Sequence, residues 1–155
     1  MKSISSVLLT GIFYVLSIGV AGAVDAMDQK AMEAIIINKA ESHKGGGGFL
    51  EFDYRGVSMM VVSDITHDRM RIVTPVAKYD ELSQSQIDKI MQANFHSALD
   101  ARYAVSSGVL FSAYIHPLSP LTREMIESAM AQVANLARSF GTEYSSGALT
   151  FRGGQ

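Results

Sequence analysis

The chain has 155 residues, 48% of them hydrophobic, with 13 Lys+Arg against 15 Asp+Glu and no cysteine. That length and apolar content suit one domain with one core. The near-neutral charge leaves nucleic acid no electrostatic footprint, and the absence of cysteine excludes disulfides, thiolate metal sites and lipid-modified cysteine.

In chain order, Lys2 forms a positive start, Val7 to Val20 an apolar run and Ala21-Gly22-Ala23 a small-residue boundary. This pattern predicts a signal peptide over residues 1–23, cleaved after Ala23, and hence a periplasmic location. The competing reading is an uncleaved anchor, because no charge occurs between Lys2 and Asp25, and membrane association is expected only in that case. Removal of Lys2 with the signal leaves 12 Lys+Arg against 15 Asp+Glu, a net charge of −3.

Residues 24–141 read as a single α+β domain. Met27 to Glu41 repeats Ala31, Ala34, Ile35 and Asn38 at helical spacing, with Asp25 or Asp28 as cap. Gly45 to Gly48 then predicts a flexible hinge, since no Lys-Ser/Thr follows to make a phosphate loop. Three strands are expected at Phe49–Tyr54, Val57–Ile65 and Arg69–Val76, joined by short turns as an antiparallel meander. The second strand is apolar on both faces and should sit centrally. The third sets Arg69, Arg71 and Val73 on a side that should meet solvent or an acidic partner.

Ser83 and Gln86 form a capping box, with Leu82 and Ile87 as a hydrophobic staple, and so fix the start of a second helix. Its predicted buried stripe is Ile87, Ile90, Met91, Phe95 and Ala98, and Asn94 falls on it as a structural fixture or a ligand contact. A hairpin follows, Arg102–Val105 and Val109–His116, turned at Ser106-Ser107-Gly108, with Val109, Phe111, Ala113 and Ile115 predicted inward. The last helix is expected from Ser119, with Pro120 at its first position, to Phe140, lined by Leu121, Met125, Ala129, Val133, Leu136 and Phe140. Residues 142–155 read as a flexible tail.

Three segments carry a resemblance: the strand Arg69-Met-Arg-Ile-Val, the helix end Ile90-Met-Gln-Ala-Asn94, and Gly108-Val-Leu leading to His116-Pro-Leu-Ser-Pro-Leu121. Over about residues 28 to 140 the chain resembles the YbjN family of bacterial sensory transduction regulators, and the fold shared with type III secretion chaperones. The resemblance implies helix, three-stranded meander, helix, hairpin and long helix. It further implies no enzymatic activity, no cofactor, a homodimer and a protein partner. The chain departs from secretion chaperones in being addressed outward and nearly neutral, so only the domain shape carries over.

The residues themselves offer little catalysis. His43, His67, His96 and His116 lie far apart, no Gly-x-Ser-x-Gly elbow occurs, and only His67 with Asp68 and Asp64 forms a constellation, more in keeping with a solvated turn than an acid–base or metal site. Met60 and Met130 are expected on an adaptable contact surface. Tyr103 and Tyr114 are read as exposed contacts or as core members with a hydroxyl at the edge. Two functions from different classes remain open. One is a protein-binding, chaperone-like module. The other is a small-molecule or peptide sensor with a pocket between sheet and helices, using Asn94 and Arg71.

Overall fold

The structure is a computed structural model that describes residues 26–147. The expected signal segment lies outside them. Among the described residues no helix is long and apolar enough to cross a membrane.

Helix α1 spans Gln29–Lys39 and starts where Asp28 accepts a 2.6 Å hydrogen bond from the Ala31 amide, which satisfies one of the first-turn donors. Its buried positions are Met32, Glu33, Ile35 and Ile36, whereas Ala31, Ala34 and Asn38 are exposed. The expected stripe was rotated because alanine marks a helix face poorly, while Met32 and Ile36 fill the core.

The glycine run is not a hinge. Strand β1, Ser42–Gly46, pairs antiparallel with β2, Phe49–Tyr54, around a tight Gly47-Gly48 loop. The Glu33 carboxylate holds that loop by accepting from the amides of Gly47 (3.0 Å) and Gly48 (2.8 Å). Glycine is required at 45, where φ is +96° and an added Cβ would stand 2.6 Å from the Phe49 carbonyl oxygen. Composition hid this strand, since glycine-rich segments read as breakers.

Strand β3 spans Val57–Asp64 and β4 Arg69–Lys78, followed by a single 3₁₀ turn at Tyr79–Glu81. Helix α2, Gln84–His96, begins at Ser83 with the expected capping box. Strands β5, Arg102–Ser106, and β6, Val109–His116, form the expected hairpin. Its loop is the two-residue Ser107-Gly108, both at positive φ, rather than a three-residue bulge. Helix α3 spans Arg123–Arg138, capped by Thr122, so Pro120 belongs to the preceding turn. That turn is tied down by Asp68, whose carboxylate accepts from the Ser119 amide (2.7 Å) and hydroxyl (2.8 Å).

All six strands form one antiparallel sheet in the order β1-β2-β3-β4-β6-β5. The fold class is α+β as expected, with one more strand in the meander. Helices α1 and α3 cover one face, and α2 lies along the β5 edge. Leu50, Phe52, Met59, Val61, Met70 and Ile72 point into this two-layer core and meet Ile126, Met130, Val133 and Leu136.

Residues 142–147 are packed rather than loose. Tyr144 is buried and sits edge-on to Tyr103 and Phe140, the Ser146 amide donates to Ser97 O at 3.0 Å, and the Ser146 hydroxyl donates to Ala98 O. Serines here satisfy buried carbonyls, a role that polar composition alone does not reveal.

Candidate functional site

Because side chains alternate across a strand, burying one face of the sheet under helices leaves the other face to whatever the alternate residues are. In β6 the buried set is Leu110, Ser112 and Tyr114, while Ile115 is 59% exposed. The expected inward set, Val109, Phe111, Ala113 and Ile115, is therefore the outward one. Ser112 and Tyr114 looked polar, yet the Ser112 hydroxyl donates to Val133 O at 3.0 Å and Tyr114 stacks on His116. The apolar alternation belongs to the uncovered face.

The same inversion recurs in β3. It is central as expected, but only Met59 and Val61 meet the helices; Met60 is half-buried and Val62 is 38% exposed on the outer side. Phe49, at the start of β2, adds a ring that is 47% exposed.

Cross-strand register arranges these residues in rows. One row runs Lys44, Glu51, Met60, Val73, Ala113, Arg102 from β1 to β5. The next runs Phe49, Val62, Arg71, Ile115, and beyond it Arg69 pairs with Asp64 across β4 and β3. On the opposite side of the first row, Asp53 stands beside Ser58, and Pro75 beside Phe111 and Ala104. The open face thus has an apolar middle, carboxylates on β2 and arginines on β4 and β5.

Two grooves indent it. One of about 360 Å³ is floored by Met60, Ser58 and Pro75 and walled by Ser42, Glu51 and Asp53. The Asp53 carboxylate accepts from the hydroxyls of Ser42 (2.6 Å) and Ser58 (2.5 Å), which hold it below the usual carboxylate range. The other, about 270 Å³, lies between Val62, Arg69, Arg71 and Ile115. The side chains of Glu51 and Arg71 make no hydrogen bond or ion pair.

Asn94 lies elsewhere. Its amide reaches from α2 to the outer edge of β5, accepting from the Tyr103 amide (2.7 Å) and donating to the Tyr103 carbonyl (3.0 Å). Both groups point away from β6, so Asn94 stands in for a missing neighbour strand. Asn94 and Arg71 therefore do not converge, and the pocket imagined around them does not form. Met130, Tyr103 and Tyr114 are buried in the core rather than presented. The Tyr103 hydroxyl donates to Leu136 O at 2.8 Å, and burial pushes its phenol well above the ordinary value. Conversely Met91, 64% exposed, and Phe95, 77% exposed, leave the predicted stripe and form a ridge on the outer side of α2. Their spacing fits the stripe, but α2 spans only the narrow sheet edge, so Ile90 and Ala93 alone suffice to bury it.

His67 pairs with Asp64 (2.7 Å), not Asp68, and both are well exposed. The His67 side chain keeps Asp64 below the usual carboxylate range, while the Ser119 hydroxyl does the same for Asp68. Among the described residues no three potential metal ligands cluster.

No protein-family model matches the chain, and no curated protein does. Among solved structures it is similar to a chain of the HopA1–SchA chaperone–effector complex, at 11% identity and a TM-score of 0.49, covering 60% of this chain and 74% of that one. It is also similar to a chain of the ExsC–ExsE complex, at 17% identity and a TM-score of 0.41, covering 52% of this chain and 63% of that one.

Proposed function

We propose that the chain is an exported, non-enzymatic, chaperone-like module that binds protein, acts in the periplasm without a cofactor, and receives another polypeptide on its open sheet face. One observation carries this reading: a six-stranded sheet is covered on one side only, and the uncovered side bears Phe49, Val62, Phe111 and Ile115 in adjoining rows. A layered fold gains by covering such a face, since apolar area removed from water stabilises at about 25 cal/mol per Å². The likeness to YbjN proteins, resting on three short segments, agrees with a binding role.

The test is a comparison of the tagged wild-type chain with Ile115→Glu, both purified from envelope extracts. The substitution falls at an exposed position, so its melting midpoint should move by no more than a degree or two. Polypeptides that accompany the wild type, copies of the chain included, should be lost from the variant. An unchanged complement would overturn the reading.

A further inference from the structure

The row through the middle of the open face reads Glu51, Met60, Val73, Ala113, Arg102 over five adjacent strands. It is complementary to its own reverse. Strand β4 stands at its centre, with β3 and β6 on either side and β2 and β5 beyond them. A two-fold axis laid along β4 therefore sets Glu51 of one copy over Arg102 of the other, Met60 over Ala113, and Val73 against itself. In the next row the same operation sets Val62 over Ile115. Acid meets base and apolar meets apolar without any shift of register, which is the condition for an isologous contact.

We infer that the occupant of the open face is a second copy of this chain, packed sheet on sheet about a dyad running along β4. The inference rests on the protein-binding reading above and names its partner. Two aligned sheets pack about 10 Å apart with interdigitating side chains. Five strands spaced about 4.8 Å and rows about 7 Å apart give a shared footprint of roughly 1,000 Å² over both copies, at the lower limit of specific interfaces. The pairing is therefore a reversible one whose strength depends on the flanking charges. Arg71 is the exception to the complementarity: it lies on the axis, faces its own copy, and weakens the contact. The Met91–Phe95 ridge on α2 lies outside the paired faces and stays open.

Sedimentation equilibrium of the full chain at up to about 100 µM, a range suited to interfaces of this size, tests the arrangement. The wild type should show a monomer–dimer equilibrium. Glu51→Arg and Arg102→Glu should each raise the dissociation constant about tenfold or more, and the double variant should return it to within about threefold of wild type. Ile115→Glu should abolish association, Arg71→Leu should tighten it, and Phe95→Glu on α2 should leave it unchanged. A dimer that survives Ile115→Glu, or that Phe95→Glu breaks, overturns the inference, as does a strictly monomeric wild type. If the wild type is monomeric but Ile115→Glu still strips co-purifying polypeptides, the second copy is refuted and the protein-binding reading stands. If it strips none, both fall.

Discussion

Truncation of Asn94 removes the two hydrogen bonds that shield the outer edge of β5. Asn94→Ala leaves the Tyr103 amide and carbonyl, now bonded at 2.7 and 3.0 Å, without partners on a residue that is buried. Each such bond contributes about 1 kcal/mol net, and an orphaned buried group costs more; water reaching the half-exposed cavity recovers part of this. The expected loss is about 2 kcal/mol. With a urea m-value of about 1.5 kcal/mol/M for a domain of this size, the midpoint falls by about 1.3 M at unchanged slope. Asn94→Asp sharpens the test. At neutral pH it sets a carboxylate against the Tyr103 carbonyl, and below about pH 4 the protonated form regains a donor, so its deficit relative to Asn94→Ala narrows on acidification. An unchanged urea midpoint for Asn94→Ala would refute the edge-shielding role.

Other expectations concern the turns and the acid limb. Glu33→Ala frees the amides of Gly47 and Gly48 and should cost about 2–3 kcal/mol, as for bonds to a charged group, with faster hydrogen exchange at both amides. Gly45→Ala, which drives a Cβ to 2.6 Å from a backbone oxygen, should destabilise well beyond Gly47→Ala, which meets nothing within 4 Å and bears only the positive-φ penalty of about 1–2 kcal/mol; equal midpoints would contradict the turn geometry. The depressed pKa of Asp68, caused first by the Ser119 hydroxyl, means that its contribution is complete above the unfolded value of about 3.9 and is lost as pH falls through the lower folded value. Asp68→Asn should therefore flatten the decline of stability between about pH 4 and pH 2, measured as urea midpoint against pH.

Local chemistry with a single spatial solution was legible in the sequence. Asp28, the Ser83–Gln86 box, the Arg55-Gly56 turn and the β2–β3–β4 meander are each set by near neighbours, and each occurs as expected. Side-chain direction in β6 was not legible. Alternation gives two faces without saying which one the helices cover, and an apolar outer face looks the same as a core. Ser112 and Tyr114 are inside because α3 supplies acceptors at Val133 O and shelter for the ring, partners that lie far along the chain. Strand β1 was missed because its glycines are tolerated only through the Glu33 carboxylate, again a distant partner. The error in β6 is also the functional signal, since a strand that reads as core on the face left uncovered marks a surface awaiting another chain.

Photo-crosslinking in living cells tests the central claim most directly. A photoreactive residue at position 115, on the open face, is compared with one at 123, at the exposed start of α3. The account predicts a discrete polypeptide adduct from position 115 and none from 123, with the adduct from 115 having twice the mass of the chain if the face is shared between copies. Equal yields from the two positions, or no polypeptide adduct from 115, would contradict it.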